Sequence, residues 1–151
     1  MIPLRDANPR RRTALVTPAL IAICFVVFAW ELWVVTAGGD TALEDLAKTW
    51  GLVPASVVGA VKGGNLLSQP VLAVFTSMFL HGGWAHILGN MLFLWIFGGR
   101  VEDRLGHGGF LAFYLVGGIA AAAGQTLENP ASALPMIGAS GAISAVLGAY
   151  L

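Results

Sequence analysis

A serine stands between two glycines near the end of the chain, in the run Gly138-Ala139-Ser140-Gly141. An apolar stretch follows, so Ser140 is predicted in the first turn of a helix, where backbone N–H groups lack intrahelical partners and the dipole is positive. Such amides can stabilise an oxyanion that forms beside a serine nucleophile. The glycines let another backbone or a substrate strand approach closely. The pattern therefore indicates a candidate nucleophile, with Gly138 and Gly141 in supporting positions.

The same small residues are also typical of close packing between membrane helices. Gly138, Gly141, Ala145 and Gly148 would form such a packing face. The pattern is not the G-x-S-x-G nucleophile elbow, because Ala142 stands at its last glycine and no predicted strand precedes it. This motif alone does not distinguish a role in helix packing from a role in catalysis.

A second polar pair occurs in the run "AHILGN", where His86 and Asn90 are four residues apart. On a helix this spacing places both side chains on one face. Within a membrane both are costly unless they face partners or a polar cavity. They are therefore either an interhelical hydrogen-bond pair or part of a site.

A metal site is not favoured by the histidine spacing. His81, His86 and His107 do not form an H-E-x-x-H pattern, and His107 belongs to the charged turn "RVEDRLGHGG". The single cysteine, Cys24, cannot form an intrachain disulfide. We therefore expect no metal site.

The composition indicates an integral membrane protein. Of the 151 residues 57% are hydrophobic and only 11% are charged, whereas soluble domains have about 25% charged residues. The mean hydropathy is +0.79. The net charge is zero, which gives no reason to expect a nucleic-acid partner.

Apolar runs predict an all-α, polytopic bundle embedded in the lipid bilayer. The predicted spans are 17–37, near 84–99, 108–127 and 138–151. The predicted connecting segments are a basic tail (1–16) and an outer loop with an interfacial segment (38–80). Thr17 is the predicted N-cap of the first span, and Glu31 within that span is expected to snorkel or to pair inside the bundle.

Lysine and arginine counts predict the orientation of the chain. If successive spans cross the membrane in opposite directions, the basic tail and the turn at Arg100 and Arg104 lie on the same side of the membrane. Six of these residues are on that side. Lys48 and Lys62 fall on the other side. The N-terminus is therefore predicted to be cytoplasmic, in a cell (inner) membrane, with the loop 128–137 outside.

The fourth predicted span has only fourteen residues, from Gly138 to Leu151. Fourteen residues give about 21 Å of helix, which is short of the roughly 30 Å hydrocarbon core. A terminal carboxylate inside hydrocarbon is unfavourable. The chain is therefore expected to be a fragment with about four of six or more spans.

The run from Phe75 to Leu115 (FTSMFLHGGWAHILGNMLFLWIFGGRVEDRLGHGGFLAFYL), followed by "GASGAISAVLGAY", resembles the rhomboid family of intramembrane serine proteases. The H-x-x-x-N pattern, the "VEDRLG" turn and G-x-S-G occur in the family's order and spacing. The resemblance implies an incomplete rhomboid protease domain over 70–151, in a helical bundle around a water-filled cavity. It also implies cleavage of membrane-protein substrates in or near their transmembrane segments, without metal or cofactor.

The resemblance also implies roles for individual residues. Ser140 matches the nucleophile, and its own N–H together with His86 and Asn90 matches the oxyanion site. The family's general base is a histidine on the sixth span, which no position here matches. Some members carry an aromatic residue one turn after the nucleophile, where this chain has Ser144.

Two alternatives remain beside a protease. One is a catalytically inactive rhomboid relative that binds membrane proteins without cutting them; such relatives typically lack the serine or the histidine. The other is a generic helical bundle of a transporter or channel, in which Ser140 and Asn90 only join helices.

Overall fold

The computed structural model describes residues 13–39 and 41–151. In this part of the chain there are seven α-helices and no extended strand, which confirms the all-α prediction. The helices are α1 Val16–Gly38, α2 Ala42–Trp50, α3 Pro54–Lys62, α4 Gln69–Thr76, α5 Trp84–Phe93, α6 Gly99–Glu128 and α7 Ser140–Tyr150. A 3-10 turn (Ser77–Phe79) follows α4, and a π-helical turn (Leu94–Gly98) joins α5 to α6. The four arginines of the predicted basic tail lie outside the described residues.

Two helical stretches among the described residues are long and apolar enough to cross a membrane. They are α1 and the run Trp84–Glu128. Their outward side chains include Val26 and Trp95, which are 71% and 65% exposed. Large apolar side chains in such positions suit lipid rather than water. Helices α4 and α7 are also apolar but shorter, so the count of four spans stays a prediction.

The run Trp84–Glu128 is interrupted at Gly106, whose φ of 72° and ψ of 166° are not helical. Glycine reaches this left-handed region without the steric penalty that a Cβ brings. Beyond this break the helix returns toward the start of α5, since Gly118 lies against the side chain of Met78. The break at Gly106 thus separates two helical arms. Most of the predicted charged turn is itself helical, because α6 begins before it, at Gly99.

The hydrophobic core lies between one face of α1 and the facing sides of α5, α6 and α7. Helix α1 contributes residues three or four positions apart, the spacing of a single helix face. The core includes Leu20, Cys24, Phe28, Ile87, Met91, Leu94, Phe110, Tyr114, Ala142 and Val146.

Small residues bring α6 and α7 close together. A Cβ placed on Gly141 would lie 2.5 Å from the Cβ of Ala121, and one on Gly117 would lie 2.5 Å from that of Ala145. Close approach of this kind is how membrane helices gain van der Waals contact. Gly148, expected on the same packing face, has open space beside it.

The segment 38–80, predicted as an outer loop with an interfacial segment, holds three short helices. Helix α2 is amphipathic: Leu46 and Ala47 are buried, and Lys48 Nζ pairs with Glu44 Oε1 at 2.6 Å on the exposed side. Farther along, Leu52 exchanges two backbone hydrogen bonds with Met136, at 2.9 and 2.8 Å. This bridge ties the segment to the loop that leads into α7.

The start of α1 is held by Glu102 of α6 rather than by a capping residue of its own. The helix begins at Val16, so the predicted N-cap at Thr17 is wrong. The Glu102 carboxylate accepts the N–H groups of Leu15, Val16 and Thr17 at 2.7–2.8 Å and the Thr17 hydroxyl at 2.7 Å. It also pairs with His107 Nδ1 at 2.7 Å. A buried carboxylate thus neutralises the positive end of α1.

We expect Glu102→Ala to lower the stability of the protein by about 3 kcal/mol, because it removes the buried acceptor of the first amides of α1 and leaves the N–H and hydroxyl of buried Thr17 without a partner. Thermal unfolding of the purified protein in detergent measures the effect. Glu128→Ala is the control: Glu128 is an exposed acid on the same helix, and its loss is expected to change stability by no more than about 0.5 kcal/mol. Equal losses in the two variants would contradict the anchoring role of Glu102.

Candidate active site

Ser140 is the first residue of α7, and the preceding loop is shaped to present it. Gly138 has a φ of +127°, and its N–H donates to the Ser77 carbonyl oxygen at 2.8 Å. Ala139 is the N-cap residue and offers no side-chain acceptor to the first amides. The Ser140 side chain is therefore exposed beside helix-terminal N–H groups, which lack intrahelical partners.

A cavity of about 180 Å³ opens in front of Ser140. The 3-10 turn, α6 and the loop before α7 form its walls. Its lining includes Ser77, Met78, Gln125, Ile137, Gly138 and Ser140. The nucleophile candidate thus faces a partly polar space large enough for a small group of atoms, while the core beneath it is apolar.

His86 lies directly against the glycine that precedes the serine. A Cβ on Gly138 would stand 2.6 Å from His86 Nε2 and 3.8 Å from Ser140 Oγ. Any side chain at position 138 would therefore displace the imidazole. The structure therefore brings the imidazole of His86, in the first turn of α5, and the hydroxyl of Ser140, at the start of α7, close to the same glycine.

Asn90 occupies the next turn of α5, on the same face as His86. Its side-chain nitrogen donates to the His86 carbonyl oxygen at 2.9 Å, and the residue is 9% exposed. The amide is thus engaged within its own helix in this state. Hydrogen bonds of catalytic groups are often formed only with substrate present, so this arrangement leaves the predicted oxyanion role open.

Ser144, one turn after the nucleophile candidate, donates its hydroxyl to the Ser140 carbonyl oxygen at 2.8 Å. This is a common bond for a serine inside a helix and directs the hydroxyl along α7. In this structure the Ser144 hydroxyl is thus engaged within its own helix, one turn beyond the first amides of α7.

Sequence reasoning did not assign two further polar residues to this region. His81 is 1% exposed, and its ring lies edge-on to that of His86, with centroids 5.2 Å apart. Glu31 of α1 is also 1% exposed, and both carboxylate oxygens accept the His81 N–H at 3.1 Å. The one sequence signal for this pair was an acid in the middle of an apolar span.

Comparison with known proteins matches residues 68–151 to the Rhomboid domain. Rhomboid protease GluP of Bacillus subtilis (strain 168) is 37% identical over 115 residues, which cover 76% of this chain and 20% of that protein. Rhomboid protease GlpG of Enterobacter sp. (strain 638) is 30% identical over 110 residues, covering 73% and 34%. Rhomboid-like protein 11, chloroplastic, of Arabidopsis thaliana is 40% identical over 68 residues, covering 45% and 24%.

The chain spans between about a fifth and a third of the length of these relatives. The domain match covers more than half of the chain and includes Ser140, His86 and Asn90. It confirms the resemblance drawn from the motifs and the prediction of an integral membrane protein with a rhomboid-like helical fold. This chain belongs to the rhomboid family.

Proposed function

We propose that the full-length protein is an intramembrane serine endopeptidase that cleaves membrane proteins in or near their transmembrane segments. The observation that carries the proposal is the exposed Ser140 at the start of α7, which lines a cavity and lies close to His86 at Gly138. The names of the relatives GluP and GlpG as rhomboid proteases support the same reaction class.

In this mechanism the Ser140 oxygen attacks the carbonyl carbon of the scissile peptide bond, and its proton passes to a general base. The negative charge that develops on the carbonyl oxygen is stabilised by amides at the start of α7 and by His86, with Asn90 as a further donor. The base then protonates the leaving amine. Water, activated by the same base, hydrolyses the resulting acyl-enzyme and frees Ser140.

The general base is proposed to be a histidine outside residues 1–151. Within the described part of the chain, Ser140 Oγ makes no hydrogen bond to an imidazole, and His81 Nδ1 is engaged by the Phe79 carbonyl oxygen at 3.1 Å. His86 lies near the serine but is assigned to the oxyanion. Without a base the serine is a weak nucleophile, so residues 1–151 alone are expected to show no robust cleavage.

The test uses the full-length protein in liposomes with a single-span membrane protein as substrate. A fluorophosphonate, which phosphonylates activated serines with loss of fluoride, serves as the second probe. We expect cleavage and an adduct on Ser140, identified by mass spectrometry. A folded protein that binds the substrate but neither cleaves it nor forms the adduct would overturn the proposal in favour of an inactive, binding relative.

We propose that the N-terminus is cytoplasmic and that the loop 128–137 lies outside the inner membrane. In a Cys24→Ala background, a membrane-impermeant maleimide is expected to label Ala133→Cys on intact cells. Arg104→Cys is the matched control and is expected to react only after lysis; both positions are exposed in the structure. The opposite labelling pattern would show that the loop 128–137 is cytoplasmic and would contradict the proposed orientation.

A further inference from the structure

Glu31 is a carboxylic acid buried in the middle of the apolar helix α1. It is 1% exposed and lies on the same helix face as Leu20, Cys24 and Phe28. A carboxyl group in such surroundings is costly unless it has partners. The partner is the backbone N–H of His81, which both carboxylate oxygens accept at 3.1 Å. The acid thereby fastens α1 to the short connection before α5.

The residue held in this way carries an imidazole with a fixed orientation. His81 Nδ1 lies 3.1 Å from the Phe79 carbonyl oxygen. A carbonyl oxygen only accepts, so this bond requires a proton on Nδ1, and in the neutral ring Nε2 then carries none. Nε2 is buried and has no hydrogen-bond partner among the described residues. The His81 ring is therefore held through its backbone and Nδ1.

The His81 ring contacts the group proposed to act on the oxyanion. Its plane is inclined 67° to that of His86, with 5.2 Å between the centroids. His86 Nε2 in turn packs against Gly138, next to Ser140. A continuous series of contacts thus leads from Glu31 through two imidazoles to the loop that presents the nucleophile.

We propose, on the basis of the proposed function, that Glu31 is a positioning residue that sets the orientation of the His86 imidazole beside Ser140 through the His81 backbone. Glu31 itself does not reach the reacting atoms. Its carboxyl oxygens fix the His81 backbone, and edge-on contact between the rings limits how His86 can turn. A misplacement of about 1 Å at a catalytic group can lower a rate by roughly 10²-fold.

The test measures kcat and KM of the full-length protein on a membrane substrate, per folded molecule. Glu31→Leu removes the acceptors, and we expect kcat to fall by roughly 10- to 10²-fold with little change in KM. Glu31→Gln keeps a carbonyl oxygen that can accept the His81 N–H, and it is expected to recover most of the loss. A Glu31→Gln variant as slow as Glu31→Leu would overturn the proposal.

Two controls separate positioning from general stability. Leu20→Ala truncates a buried side chain on the same face of α1, away from His81, and is expected to lower thermal stability without changing kcat per folded molecule. If Glu31→Leu behaves in the same way, Glu31 only holds the bundle together. If Glu31→Leu does not fold, kcat is measured for Glu31→Asp, whose shorter side chain withdraws the carboxylate from the His81 N–H. An unchanged kcat in that variant would overturn the proposal.

A double variant tests the route through His86. Since Glu31 acts by way of His86, Glu31→Leu should add no further loss of kcat to a His86→Ala background. Additive losses would overturn the positioning role. A wild-type protein without Ser140-dependent cleavage would instead overturn the proposed function, so the two failures are distinguishable.

Discussion

Ser140→Ala in the full-length protein is expected to lower kcat for membrane-substrate cleavage by roughly 10⁴- to 10⁶-fold. The reason is positional: Ser140 is the hydroxyl at the start of α7, exposed beside the helix-terminal amides and the cavity. An alanine there keeps the oxyanion donors but leaves no atom that can attack the carbonyl carbon. The measurement is the single-turnover rate in liposomes, with thermal unfolding to show that the variant is folded.

Ser144→Ala is the matched control for this prediction. It makes the same substitution one turn later in α7, where the hydroxyl donates to the Ser140 carbonyl oxygen. Removing that bond is expected to change kcat by less than about tenfold, because backbone hydrogen bonds of the helix already hold Ser140. A large loss in Ser144→Ala with activity kept in Ser140→Ala would reverse the assignment of the nucleophile.

The sequence could predict the helical membrane character and the family, because both depend on local signals. Apolar length, charge counts and the order of three short motifs are all visible without a fold. The motifs also single out Ser140, His86 and Asn90 as candidates. Periodicity could not predict the three helices within 38–80, since each has only eight or nine residues, too few turns for a helical repeat to stand out.

The contacts between residues that are far apart in the chain could not be predicted from the sequence. The acceptor for the first amides of α1 is Glu102, 85 to 87 positions away in the chain. Thr17 was the obvious local cap, but tertiary packing supplies the Glu102 carboxylate as acceptor, and the N-cap is Leu15, two residues earlier. Glu31 similarly finds its partner 50 positions away, in His81. An intramembrane acid signals that a partner exists, but its spacing does not identify the partner.

His86→Ala is expected to lower kcat per folded molecule by about 10²- to 10³-fold, the usual loss for one oxyanion donor. Its imidazole lies against Gly138, beside the nucleophile. Leu88→Ala is the control on the same helix, because Leu88 is 52% exposed and its truncation is expected to leave the rate unchanged. Rates are normalised to folded protein, measured by thermal unfolding in the same detergent.

The Asn90→Ala variant tests whether Asn90 donates a hydrogen bond to the oxyanion or only joins helices. Its side-chain nitrogen donates to the His86 carbonyl oxygen, so the substrate must compete with that bond for the amide. We therefore expect a loss of kcat that is real but smaller than that of His86→Ala. If both residues only hold the bundle, their variants should unfold at lower temperature while the normalised rate stays constant. Constant normalised rates in both variants would remove His86 and Asn90 from the oxyanion site and leave the helix-terminal amides as its donors, with Ser140 still the nucleophile.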